Sequence, residues 1–201
     1  MLRVSNRQSE RKSIMNKSGV LYYGGSIEAI CGGMFSGKTE ELLRRVKRAH
    51  IAKLQIVLIK PEIDTRYDDT RVVSHNQQAG AAIPVRNAKD ILSLIDDRTE
   101  VVGIDEAQFF DEELASVCDE MANRGIRVVA AGLDMDFAGR PFGTIPELLA
   151  IADRVSKLHA ICTKCGDDAC RSQRLTTQKD VVALGANDIY EARCRRCFKK
   201  P

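Results

Sequence analysis

The apolar residues of this chain fall into short continuous runs, separated by stretches in which they recur every three or four positions. Ser26 to Cys31 (SIEAIC) and Leu54 to Ile59 (LQIVLI) have the length of buried strands, and Lys60-Pro61 ends the second. Between them, Thr39 to His50 is rich in Leu, Glu and Arg and predicts a helix. Val101 to Ile104 and Ile126 to Ala131 predict two further strands. Asp111 to Arg124 carries Leu114, Val117, Cys118 and Met121 at helical spacing and is closed by Gly125, which predicts an amphipathic helix. Asp90 to Ile95 reads as helical and Asp64 to Thr70 as a turn. Arg71 to His75 and Ala81 to Val85 read as extended pieces of a hairpin around Asn76 to Gly80.

Strands alternating with helices imply parallel βαβ units, hence an α/β fold. After about His159 the texture changes to short segments, paired cysteines and turn residues. The expected division is a disordered tail over 1–23, an α/β domain over 24–158 and a small C-terminal domain over 159–201. The tail is polar and basic, lacks the apolar stretch of a secretory signal, and contains Met15 as an alternative start.

Composition narrows the function classes. With 44% hydrophobic and 29% charged residues in 201, the chain has the make-up of a globular protein. No run approaches the roughly 18 apolar residues of a membrane helix. A net charge of +3 and the absence of Trp argue against nucleic-acid binding by bulk charge or by extended base stacking. The expectation is a cytoplasmic protein with no membrane partner.

Gly32-Gly33-Met34-Phe35-Ser36-Gly37-Lys38-Thr39 fits G-x-x-x-x-G-K-[ST], directly after a predicted strand and before a predicted helix. Such a loop turns backbone N–H groups inward around phosphates, puts the Lys38 cation on them and offers the Thr39 hydroxyl to Mg²⁺. The fold expected is therefore of P-loop NTPase type, a parallel sheet flanked by helices. Asp105 and Glu106 end the VVGI strand. Asp105 suits the Mg²⁺ side of an ATP site, and Glu106 is then free to act as a general base; a helix cap is the plain structural role for the pair. The DEAQ run is similar to a helicase box, but 201 residues cannot hold two motor domains.

Seven cysteines include two C-x-x-C knuckles, Cys162/Cys165 and Cys194/Cys197, with 28 residues between them. Two such turns complete four thiolate ligands for a structural zinc ion, with no position left open for catalysis. The spacing exceeds that of ordinary zinc ribbons, so the intervening segment must be more than a tight hairpin. Cys31 and Cys118 read as packing residues, Cys170 has no assigned role, and His50, His75 and His159 read as surface or turn residues. The basic residues at 44, 45, 47 and 48 read as a solvated helix face.

Taken with Lys60 to Tyr67 (KPEIDTRY), Ser74-His75-Asn76, Asp105 to Phe110 (DEAQFF), Gly132 to Gly143 (GLDMDFAGRPFG) and Arg174-Leu175, these motifs closely resemble the P-loop thymidine kinases of the cytosolic, zinc-containing type, over about residues 24–198. The resemblance implies transfer of the ATP γ-phosphoryl group to the 5′-hydroxyl of thymidine, with Mg²⁺, structural Zn²⁺, a homotetramer and feedback inhibition by dTTP. It implies Glu106 as the base, Arg66 at the reacting phosphate end, Asp64 as an indirect Mg²⁺ holder and Gln108 on the nucleotide side. Phe109 and Met34 would line the thymine pocket, with Leu133, Phe137 and Phe142 around the base. The backbone of Val181, Val182, Ala183, Leu184 and Gly185 would bond the thymine edge, and Tyr190 would touch the substrate. Ser172 stands where the family usually has Thr, removing one methyl contact near thymine. Cys197 stands where many members have His, and both ligate zinc. The rival class is a P-loop regulatory or nucleic-acid module gripping through a zinc ribbon, its basic stripe being Arg193, Arg195, Arg196, Lys199 and Lys200.

Overall fold

The computed structural model describes residues 24–62, 82–176 and 189–200. Among them, six strands form one parallel sheet: β1 (Ser26–Gly32), β2 (Ile56–Pro61), β3 (Ile83–Val85), β4 (Val101–Ile104), β5 (Arg127–Leu133) and β6 (Arg154–Leu158), in the order β3-β2-β4-β5-β1-β6. Three α-helices accompany it: α1 (Lys38–Ile51), α2 (Leu114–Asn123) and α3 (Ile145–Ile151). Short 3-10 turns occupy Ala88–Leu94 and Ala107–Phe109.

The period of two along each strand sorts its side chains between two layers. Ile27, Cys31, Val102, Ile104, Val128 and Ala130 enter a core with Leu114, Val117, Cys118 and Met121 of α2 and Ile145 and Leu148 of α3. The alternate residues Ile30, Leu58, Val129 and Ala131 pack on Leu42 and Val46 of α1. Each Ile, Val, Leu or Met side chain fully buried among them contributes roughly 1.5–3 kcal/mol. Cys118 is a packing residue, as expected, and burial pushes its thiol up to about 12.

Beyond the sheet, β7 (Ala160–Ile161) pairs antiparallel with β8 (Asp168–Ala169), and β9 (Arg171–Arg174) with β10 (Tyr190–Arg193). These short strands bury their own small cluster of Ala160, Cys162, Ala169, Ala192 and Cys194.

Some local readings change. Ile83–Val85 pairs in parallel with β2 at the sheet edge; the hairpin partner expected for it, Arg71 to His75, lies outside the described residues. The 90–95 helix is a 3-10 turn, and α2 starts at Leu114 instead of Asp111. Helix α3 and strand β6 have no counterpart in the sequence reading. Strand β6 (RVSKL) lies at the sheet edge and is largely exposed, so it lacks the apolar run that marks its neighbours.

The basic face of α1 also has an exception. Arg45 turns inward and donates to Glu28 Oε2 at 2.8 Å, to Glu41 at 2.8 Å and to Ser156 Oγ at 2.7 Å. Arg127 of β5 meets the same Glu28 at 2.7 and 3.0 Å. Glu28 is only 3% exposed. Burial alone would raise its pKa, but Arg127 and Arg45 outweigh burial and hold it below 4.5. One carboxylate thereby ties α1 to β1, β5 and β6.

Glu28→Gln is expected to lower stability by roughly 3 kcal/mol, because removing one partner strands buried guanidinium groups. Chemical denaturation at pH 7 measures this. The depressed pKa makes the contribution complete above the unfolded value and lost as pH falls through the folded one, so variant and parent should converge in acid well below pH 4.5.

Candidate active site

The site is assembled where β1, β4 and β5 end. Between β1 and α1 the chain makes the glycine-rich turn. Gly32 has φ 151, and a Cβ there would meet the carbonyl oxygen of Leu158 at 2.3 Å, so β6 leaves room only for glycine. Phe35 adopts φ 63 and Gly37 φ 81, two left-handed residues that curl the loop. Successive N–H groups in such a curl make an anion-binding concavity at the start of α1. Lys38 Nζ donates to the Gly33 carbonyl at 2.8 Å, as does Ser36 Oγ at 2.8 Å. Burial lowers the Lys38 pKa, while Glu106, Asp105, Asp134 and Glu40 act in the opposite direction.

Thr39 Oγ1 donates to Asp105 at 3.0 and 3.2 Å, joining the phosphate loop to the end of β4. Burial, with Glu106 as neighbour, raises the Asp105 pKa to about 6. A hydroxyl and a buried carboxylate in contact are a donor set suited to a hard, oxygen-seeking cation such as Mg²⁺.

Glu106 follows with φ 49, a left-handed conformation unusual for a residue with a side chain. Such geometry costs of order 1–3 kcal/mol and persists where surroundings enforce it. The Glu106 N–H donates to Asp105 Oδ1 at 3.0 Å, and its carboxylate is held by Gln108, 2% exposed. Its Nε2 donates to Glu106 Oε2 at 2.5 Å, and its Oε1 accepts from the Leu133 N–H at 2.9 Å. Gly143, with φ 52, comes so close that a Cβ would lie 2.2 Å from the Gln108 carbonyl oxygen. The amide expected on the nucleotide side thus bridges the Glu106 carboxylate and the end of β5.

The aromatic residues separate into two groups. Phe109 and Phe142 meet edge to face with centroids 5.8 Å apart, beside Leu133 at the end of β5. Phe137 lies under the Arg174 guanidinium, 3.7 Å from ring centroid to its central carbon, and Arg174 Nε donates to the Tyr190 hydroxyl at 3.1 Å. The sequence reading gave Arg174 no role; only its place in the Arg174-Leu175 motif marked it. It likewise missed Asp134, buried one residue past β5, whose carboxylate pairs with Lys157 at 2.7 Å. Asp64, Arg66 and residues 181–185 lie outside the described residues, as does His75. His50 and His159 are exposed.

The sulfur atoms of Cys162, Cys165, Cys194 and Cys197 lie within 4.8 Å of one another, and Cys165 and Cys194 are 3.6 Å apart. Four thiolates around zinc at about 2.3 Å stand roughly 3.8 Å apart, so the residues fit the ion. Burial opposes ionisation of Cys162, yet backbone N–H groups of Cys194, Lys164 and Cys165 draw it down to about 6. Contacts with Cys165 and Cys194 push Cys197 up to about 12. The proposed basic stripe is interrupted, since Arg193 is buried and paired with Glu191. No helix among the described residues is long and apolar enough to cross a membrane.

With that geometry in place, comparison with known proteins is direct. The thymidine kinase family profile matches residues 25–198. The thymidine kinase of Rhodothermus sp. (strain ITI 518) is 54% identical over 185 residues, 90% of this chain and 86% of that protein. That of Bacteroides thetaiotaomicron is 55% identical over 174 residues, 87% of each chain. That of Porphyromonas gingivalis is 54% identical over 176 residues, 88% of this chain and 86% of the other. The chain belongs to the thymidine kinase family.

Proposed function

We propose that this chain transfers the γ-phosphoryl group of ATP to the 5′-hydroxyl of thymidine, giving dTMP and ADP. The observation that carries this reading is the Thr39–Asp105 contact, which brings a phosphate loop and a two-carboxylate strand end into one site. The loop N–H groups and Lys38 hold the phosphates. Thr39 and Asp105 would hold Mg²⁺, which when bound neutralises charge on the phosphates. Asp64 is assigned to the same ion and Arg66 to the transferred phosphate.

Glu106 takes the proton of the 5′-hydroxyl as the new oxygen–phosphorus bond forms and the bond to the ADP oxygen breaks. Gln108 aims the Glu106 carboxylate. Phe109, Phe142 and Leu133 wall the base, the backbone of residues 181–185 is assigned to the thymine edge by the family resemblance, and Tyr190, stacked with Arg174 and Phe137, is assigned to the substrate. Zinc in the four-cysteine cluster would anchor both ends of the intervening segment, to which the family resemblance assigns the covering of the nucleoside. A cytoplasmic setting and a homotetramer accord with the family resemblance. So does inhibition by dTTP, which joins a thymidine group to a triphosphate. The nucleic-acid alternative has no support: its basic stripe loses Arg193 to burial.

An ATP-coupled assay over a nucleoside panel tests the activity, with thymidine expected fastest and purine nucleosides inert. Lys38→Ala should abolish transfer while circular dichroism shows an intact fold.

Glu106→Gln keeps shape and hydrogen-bonding reach but cannot accept the proton. Its kcat should fall by about 10²–10⁴, with thymidine binding by calorimetry nearly unchanged. Retention of a tenth of the parent kcat would return Glu106 to a purely structural role. Gln108→Ala should cost kcat roughly 10²-fold through misplacement of the carboxylate. In the Glu106→Gln background the same change should cost far less, because the two residues act as a unit.

Elemental analysis should find one zinc per chain. Chelation should speed hydrogen exchange in β9 and β10 before it reaches β1, β4 and β5, since only the former are anchored beside the cysteines.

A further inference from the structure

Strand β9 touches the phosphate loop from outside the sheet. Ser172, in its middle, is 5% exposed, and its Oγ accepts a hydrogen bond from the Met34 N–H at 3.0 Å. A Cβ on Gly33 would lie 3.5 Å from that Oγ and 3.6 and 3.7 Å from the Arg171 backbone, so the strand lies in van der Waals contact with the loop. Ser172 is paired with Ala192 on β10, two residues before Cys194. The contact therefore joins the cysteine-anchored hairpin to the turn that faces the phosphates.

The loop has few other supports for its first half. The Gly33 carbonyl is held by Lys38 Nζ and Ser36 Oγ. The Lys38 bond must loosen when its ammonium turns to the phosphates, and the Ser36 bond is internal to the loop. Directly after Met34, Phe35 holds the left-handed φ of 63. Met34 N–H is bonded to Ser172 and so is not aimed into the concavity.

We infer that Ser172 is a positioning residue for the phosphate loop: its hydroxyl fixes Met34, keeps Phe35 in its left-handed turn and so leaves the following N–H groups facing the ATP phosphates. This deepens the phosphate-loop reading above and rests on it. It gives Ser172 a task on the ATP side beyond its place near thymine. It also makes the hairpin over the nucleoside and the loop under the phosphates share one joint.

The test uses full-length protein and the variants Ser172→Ala and Ser172→Thr. Calorimetry measures binding of Mg²⁺ with a non-hydrolysable ATP analogue, and separately of thymidine. Hydrogen exchange follows the Met34 amide without nucleotide. Ser172→Ala should weaken the analogue roughly three- to tenfold, the range of one lost hydrogen bond, and should speed Met34 exchange. Thymidine affinity should change less, and Ser172→Thr, which keeps the hydroxyl, should restore both readouts. Unchanged analogue affinity and exchange in Ser172→Ala, or a loss confined to thymidine, would overturn the inference. So would a loss that Thr fails to restore, since that marks packing and not the hydroxyl. Parent protein that does not bind the analogue would instead overturn the phosphate-loop reading itself.

Discussion

A step in the parallel sheet organises this molecule. Strand β4 ends with Ile104 opposite Ala130 of β5, whereas β1 continues until Gly32 stands opposite Leu133. Three residues of strand rise roughly 10 Å. Asp105 and Glu106 therefore leave the sheet below the level of the phosphate loop, and the 105–109 turn fills the step beside the end of β5. Gln108 closes it by accepting from the Leu133 N–H while donating to Glu106. Thr39, in the first turn of α1, faces Asp105. A flush sheet would bring both loops out at one height and leave no ledge for the carboxylates.

That geometry explains how much of the site could be read from the chain alone. The loop Gly32 to Thr39 is legible because backbone chemistry dictates its glycines and its lysine, and the strand–turn–helix context is visible in the apolar pattern. The cysteine pairs are legible because a tetrahedral ion demands that spacing. Strand β6 is not, because an exposed edge strand needs no apolar alternation. Arg45 is not, because a helix face rich in basic residues looks solvated until Glu28 is found behind it. Gln108 stands within a recognisable segment, but its task depends on Leu133, 25 residues away, and on the approach of Gly143. Partnerships made by the sheet register have no signature within a local window.

The same distinction holds for the small C-terminal sheets. Their cysteines announce an anchor. The contact that makes the anchor matter to phosphate binding, Ser172 on Met34, joins residues 138 apart and a hydroxyl to a backbone amide, a pairing that almost any sequence could offer. The aromatic residues were identifiable as a group, but their separation into the Phe109–Phe142 contact and the stack of Phe137, Arg174 and Tyr190 depends on which loop carries each.

The carboxylates around Lys38 carry a consequence for what the site admits. Among the described groups, Asp105, Glu106, Asp134 and Glu40 act on Lys38, and Lys157 pairs with Asp134. Carboxylates outnumber the cations there, and burial has already raised the Asp105 pKa to about 6, the mark of an acidic group short of compensation. A bare polyphosphate brings more of the same sign into a space where charge is weakly screened. A polyphosphate that arrives with a divalent counter-ion brings less negative charge, and Thr39 and Asp105 offer the oxygen donors such an ion would take. The excess of carboxylates thereby disfavours a bare polyphosphate relative to one that carries its cation with it.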